Sequence, residues 1–329
     1  MGQNPLLSHS GIDFLEAHQL DGQGGSLRLP PDDAAAAISS AAPLWLHFDV
    51  NAAETRPWLE RHSKLPLTVV NALLAADTRP RIAKTQDNLM LILRGFGAGL
   101  AAGELVSLRI WSDGERVIST RMSPLGATDA LRERLQAGTG PNTSKGLLLS
   151  WLNGVVGTMD EPLNALENEA LDLEERVLSE SYRDLQPSFS HHRRTALKFK
   201  RFLEPQRQAL SQLARLELSW LGETDITILH EISERQARYV DLLNHVHTHI
   251  VLAHEEVLSQ LSAEMNERMY VMSIVAALFL PLGFFTGLLG INVGGIPGVN
   301  NEAAFWIVSG LCGAILLILT AIFRKRGWW

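Results

Sequence analysis

Residues 274–299 read IVAALFLPLGFFTGLLGINVGGIPGV. An apolar run with Pro281 inside it reaches Gly290-Ile291-Asn292 and then a glycine-rich turn. The stretch belongs to a longer uncharged region: between Met269 and Phe323 the only charged side chain is Glu302. Residues 271–291 and 303–323 therefore offer two charge-free segments of 21 residues each. At about 1.5 Å rise per residue, each helix is about 30 Å long, the thickness of a bilayer's hydrocarbon core. A helical hairpin buried in a soluble core is the competing reading, but soluble helices seldom stay uncharged for so long twice in succession. Pro281 is tolerated in a span because neighbouring helices can satisfy the backbone carbonyl it frees.

The flanks set an orientation. Arg324, Lys325 and Arg326 close the second span, Trp328 and Trp329 suit the interface beyond them, and residues 293–302 hold no Lys or Arg. By the positive-inside rule both termini are cytoplasmic and the short loop faces outward. Two spans cannot enclose a polar path, so a pore needs several copies.

The 268 residues before this region carry 35 of the 36 acids and 26 of the 29 Lys and Arg, a balance of −9. That balance argues against a nucleic-acid partner and suits the gathering of cations. Cys312 is the only cysteine, which leaves no disulfide framework and no thiolate metal cluster. The first residues lack a basic segment followed by an apolar core, so no signal peptide is expected. No nucleophile elbow, phosphate loop or metalloprotease His pair is present, and no enzymatic activity is expected.

The pattern divides the chain into a flexible N-terminus (1–25), an α/β domain (26–140), paired bracing helices (141–223), a long stalk helix (224–291), an outer loop (292–302), the second span (303–323) and a basic cytoplasmic tail (324–329). Strands are expected at 44–50, 81–84, 88–94, 106–111 and 115–121, the last two joined through Asp113-Gly114, with helices near 54–62, 67–74 and 127–136. Hairpins dominate, so the sheet should be mostly antiparallel. Helices are expected over 145–180 and 187–220. The basic run Arg193, Arg194, Lys198, Lys200 and Arg201 suggests a nucleic-acid surface only weakly and reads as a solvated face pairing with Glu167, Glu169, Asp172, Glu174 and Glu175 of the preceding helix. From Thr224 to Leu280 there is no glycine or proline. A helix continuing to Ile291 would be about 100 Å long, with Leu242, Val246, Ile250, Val257 and Leu261 as its packing stripe.

The first span has no Asp, Glu, His, Lys, Arg or Cys between Tyr270 and Asn292. It offers nothing that strips and holds bare zinc, which prefers thiolate, imidazole or carboxylate. A pore lined by it suits hydrated cations. Small and polar residues recur at near-heptad spacing: Asn266, Ser273, Ala276, Gly283, Gly287 and Gly290, with Met269 and Leu280 in the same series. Close helix packing is the alternative use of such a stripe. Asn292 amides from several copies would face an incoming ion's hydration shell, and Gly290 lets the chain turn there. On the stalk, His245 and His249 lie one turn apart with Asp241 one turn before, a candidate metal set set against a plain solvated face.

Residues 266–292, NERMYVMSIVAALFLPLGFFTGLLGIN, resemble the first membrane helix and Gly-x-Asn signature of the CorA family of divalent-metal transporters. The continuation NVGGIPG resembles the family's zinc-transporting ZntB branch, and residues 76–94, ADTRPRIAKTQDNLMLILR, resemble a segment of its soluble domain. The resemblance implies a funnel-shaped homopentamer in the lipid bilayer, with five long helices lining a pore and Gly290, Ile291 and Asn292 forming the selectivity region at its outer mouth. It places Asn266, Met269 and Met272 at a cytoplasmic constriction and Glu255 where magnesium members keep a regulatory acid. Zn2+ or another divalent cation is then the transported substrate, no cofactor is permanently bound, and uptake is driven by the proton gradient. Two departures favour the zinc branch over a magnesium channel: Leu289 and Ile291 stand where many members have Tyr and Met, and residues 293–298 hold no acid, leaving Glu302 as the only lure at the outer mouth. Zinc efflux, a passive magnesium, cobalt or nickel channel, and a membrane-anchored metal sensor or scaffold are the alternatives. Neither span holds an ionisable group of the kind a proton carrier normally needs there.

Overall fold

A computed structural model describes residues 14–40, 42–76, 78–98, 103–177, 182–291 and 302–325. Two units separate, residues 1–254 and 255–329. The first begins with β1 (Leu15–Leu20), β2 (Ser26–Leu29), α1 (Pro31–Ala37), β3 (Leu44–Asp49), α2 (Thr55–His62) and α3 (Leu67–Leu74). It continues through β4 (Arg81–Thr85), β5 (Asn88–Phe96), β6 (Leu105–Ser112), β7 (Arg116–Arg121), α4 (Gly126–Gln136) and α5 (Ser144–Gly157). The seven strands form one sheet in the order β2-β1-β3-β7-β6-β5-β4. Every pairing is antiparallel except β3 with β7, which pair parallel through the crossover made by the intervening elements.

Alternation along β3 splits the core. Leu44, Leu46 and Phe48 face one side with Leu15, Ala17, Trp58, Leu59, Val70, Leu73 and Ile118, beneath the first three helices. Trp45 and His47 face the other, edge-on to Trp151 of α5. There Ser119 ties three groups together: its Oγ lies 2.9 Å from His47 Nδ1, accepts from Trp45 Nε1 at 3.2 Å and donates to the Leu46 carbonyl at 3.1 Å. His18 stacks on Trp45, and its Nδ1 lies 3.0 Å from Ser26 Oγ. Both imidazoles are held neutral. Burial pulls His18 down to about 4 against the opposing pull of Glu16, and burial reinforced by Arg121 and Arg132 holds His47 well below its ordinary value.

Residues 15–20 correct the expectation of a flexible segment over 1–25: they form a strand between β2 and β3. Its His and Gln made it look like loop, but Leu15, Ala17 and Leu20 are buried and His18 has partners on the far face. The hairpin at Asp113-Gly114 forms as expected. Gly114 has φ +93, and a Cβ there would sit 2.5 Å from Trp220, so both the turn and the packing demand glycine.

Three longer helices complete the unit. The single helix expected over 145–180 is broken at Thr158-Met159, giving α5 and then α6 (Asp160–Val177). The chain then forms α7 (Tyr182–Leu213), with Pro187 and Pro205 inside it, and α8 (Glu223–Leu289), a helix of 67 residues. Leu163, Leu166, Ala170 and Leu173 of α6 are buried, as are Phe189, Ala196, Phe199 and Leu203 of α7. On α8, Val240, Leu243, Val246, Ile250, Ala253 and Val257 are buried at steps of three and four residues. Of the expected stalk stripe, Leu242 is half-buried and Leu261 exposed. Buried amides lock the layers: Gln206 Nε2 donates to Gln236 Oε1 at 3.2 Å, and Gln206 Oε1 accepts from the Arg94 backbone N–H at 2.7 Å. The five cations of α7 do not pair with α6 as expected. Among the described residues Arg193, Arg194, Lys198, Lys200 and Arg201 make no salt bridge, and the tie between the helices is His192 Nε2 to Glu169 Oε2 at 3.1 Å.

The second unit holds the remainder of α8 and α9 (Ala304–Lys325). Met272 is 70% exposed, Leu280 74%, Trp306 74% and Leu317 72%. Such apolar exposure is untenable in water, and no described part of this chain covers it.

Candidate ion-conduction surface

The end of α8 is built to stay helical in apolar surroundings. Ser273 Oγ donates to the Met269 carbonyl at 2.8 Å, and Thr286 Oγ1 to the Leu282 carbonyl at 2.9 Å, so neither hydroxyl needs water. Pro281 interrupts the ladder without ending the helix. The helix stops at Gly290, whose N–H donates to the Thr286 and Gly287 carbonyls at 3.0 and 3.2 Å.

Asn266, Met269, Ser273, Ala276, Leu280, Gly283, Gly287 and Gly290 all lie on this helix or its terminal turn, and all are exposed. Steps of three and four keep them on one face. A Cβ at Gly283 or Gly287 would meet nothing within 4 Å, so among the described residues the helix surface at these glycines is open. Met272 is exposed on the flank of this stripe, and Ile291 just beyond its end. Glu302 is exposed shortly before α9 begins. Asn292 lies outside the described residues.

The stalk metal set does not assemble. Among the described residues no group of three or more His, Cys, Asp or Glu side chains is placed to hold a metal ion. Residues four apart on a helix drift by about 40° per step. Asp241 and His245 thus stay on the exposed side, while His249 turns toward α6, its Nδ1 2.8 Å from Glu174 Oε1. Glu255 is exposed and does not join them. The Glu174–His249 tie went unread in the sequence because 75 residues separate its partners. A second tie joins α6 to α8: Tyr239 donates its hydroxyl to Asp160, and burial together with that carboxylate pushes the phenol's pKa up.

Residues 40–325 match the family described as CorA-like Mg2+ transporter protein. The chain belongs to the CorA family of divalent-cation transporters. It is 33% identical over 324 residues to the divalent cation transporter CmaX of Pseudomonas aeruginosa, with 96% of each chain covered. It is 32% identical over 319 residues to the zinc transport protein ZntB of Yersinia pseudotuberculosis, again covering 96% of each. The solved full-length CmaX structure superposes with a TM-score of 0.80 at 32% identity, covering 97% of this chain and 100% of that one. The CorA magnesium transporter of Methanocaldococcus jannaschii gives 0.81 at 20% identity over 97% and 100%, a likeness of fold. In this CorA-family chain the C-terminal part of α8 and the apolar length of α9 are the membrane helices. Their most apolar windows contain no residue buried within the chain, unlike the core helix of a soluble protein.

Proposed function

We propose that the protein is a homopentameric zinc transporter of the inner membrane, in which the α8 stripe of five copies lines a central pore for hydrated cations. The observation that carries this reading is the exposed stripe from Asn266 to Gly290 with open space beside Gly283 and Gly287. Small side chains leave room for an ion with its water, and magnesium-like ions shed water reluctantly. Asn292 and the carbonyls freed at Gly290 form the outer selectivity ring on this reading, Glu302 draws cations toward it, and Asn266, Met269 and Met272 form the cytoplasmic constriction. Both termini are cytoplasmic, because Arg324 and Lys325 end α9 while residues 293–302 hold no cation.

Zinc, driven inward by a proton gradient, is supported by the likeness to ZntB and by the acid-free residues 293–298. A second reading, wider selectivity that includes magnesium, cobalt and nickel, is supported by the likeness to a protein named simply a divalent cation transporter. Zinc flux into sealed vesicles of purified protein, with and without an inward proton gradient, tests the proposal. Flux should rise with the gradient, fall in Asn292→Ala, and resist competition by magnesium. Absence of zinc flux under either gradient would refute it; equal flux of magnesium would select the second reading.

A further inference from the structure

The unpaired cations of α7 have a geometry of their own. Arg194, Lys198 and Arg201 stand at i, i+4 and i+7 on the side opposite the buried Ala196, Phe199 and Leu203, and all three are exposed. Arg194 Nε donates only to its own helix, at the Ser190 carbonyl 3.0 Å away, and Arg201 lies 5.6 Å from the Phe202 ring centre. Leu197 is 45% exposed among them. Neighbouring α6 presents the complement. Glu161, Asp172 and Glu175 are exposed opposite Leu163, Leu166 and Leu173, and Leu171 is 45% exposed beside them. Asp172 meets Arg176 of its own helix only at 3.7 Å, with its side chain 65% exposed. The two faces cannot neutralise each other within one chain, because each points away from the packing that α6 and α7 share.

We propose that the basic face of α7 docks on the acidic face of α6 in a neighbouring copy of the chain. Each copy then offers one patch of each sign, so the contact is head-to-tail and repeats until a ring closes. Opposite charges fix which faces meet, like faces repel, and Leu197 and Leu171 supply the apolar anchors. A nucleic acid does not fit this surface, since the first 268 residues are net acidic. The inference rests on the oligomer of the proposed function and adds to it which soluble faces meet.

The test uses the full-length protein assembled from isotopically heavy and light chains. A carbodiimide couples lysine amines directly to nearby carboxylates, and mass spectrometry reads which chains were joined. Mixed heavy–light peptides linking Lys198 or Lys200 to Glu161, Asp172 or Glu175 are expected. Lys198→Arg with Lys200→Arg should remove them while the assembly mass stays the same, which excludes misfolding. Arg194→Glu with Arg201→Glu should lower the yield by about tenfold. An intact oligomer without mixed peptides overturns this docking but leaves the oligomer standing, whereas a monomeric mass overturns both. If Arg194→Glu with Arg201→Glu leaves coupling unchanged but abolishes binding to phosphatidylglycerol vesicles, the stripe serves anionic lipid and the proposal fails.

Discussion

Acidification should destabilise the α/β domain well before its carboxylates titrate, because two buried histidines must be charged. His18 titrates at about 4 in the folded chain against an ordinary 6.5, and burial holds the fully enclosed His47 well below its ordinary value too. A histidine whose folded value is depressed binds its proton more readily when unfolded. Stability is therefore fully present above pH 6.5 and declines as the pH falls toward the folded value. Each unit is worth about 1.4 kcal/mol, and with half the unfolded chains already protonated at pH 6.5, His18 alone removes about 2 kcal/mol between pH 6.5 and 4.5, and His47 adds to the loss. Asp225 and Asp87 have depressed values, so their contributions fade only below that window. The assay is urea unfolding of the full-length protein in detergent, followed by Trp fluorescence, with Trp45 and Trp151 beside the histidines. His18→Gln combined with His47→Gln should flatten the pH dependence even if it lowers stability overall. A wild-type midpoint unchanged between pH 6.5 and 4.5 would refute the reasoning, and so would a double variant that keeps the slope.

Gly114→Ala should cost about 1–3 kcal/mol through the left-handed backbone alone, and more because its Cβ meets Trp220; calorimetry and Trp220 quenching would report both. His249→Ala removes a tie whose partners are 40% and 35% exposed, so a loss of at most about 1 kcal/mol in thermal unfolding is expected, with metal affinity unchanged. Gly287→Leu adds a side chain whose Cβ meets no described residue within 4 Å, and it should leave the unfolding of the α/β domain untouched, yet it should abolish cation flux in vesicles. Unimpaired flux in that variant would remove the stripe from the pore.

Sequence made the sheet and the spans legible for different reasons. Strands such as LWLHFD announce themselves by alternation and by β-branched or aromatic residues, and the spans by their lack of charge. β1 was missed because LEAHQL spends half its positions on polar residues, whose partners Ser26 and Trp45 come from other strands. The break at Thr158 was hidden because apolar spacing runs on through it. The basic run of α7 misled in the opposite way: proximity in sequence to an acidic helix suggested pairing, but both helices spend their shared faces on leucine, alanine and phenylalanine.

The same distinction governs the candidate pore. That α8 continues as one helix through Pro281 was legible, since nothing between Thr224 and Leu280 breaks it and a span tolerates one proline. What a helix face does is decided by what lies against it, and a periodic pattern records only that the face exists. Glycines at 283 and 287 could have packed against α9 of the same chain; instead their Cβ positions are empty. The proposed function gives this face two uses, contact with another copy and an ion path. The proposed pore uses both, with neighbouring helices on the flanks of the stripe and water on its crest. That arrangement accounts for a first span without a single metal ligand, since a path for hydrated ions has to be wide and polar at its mouth and needs no side chain to take the ion's water away.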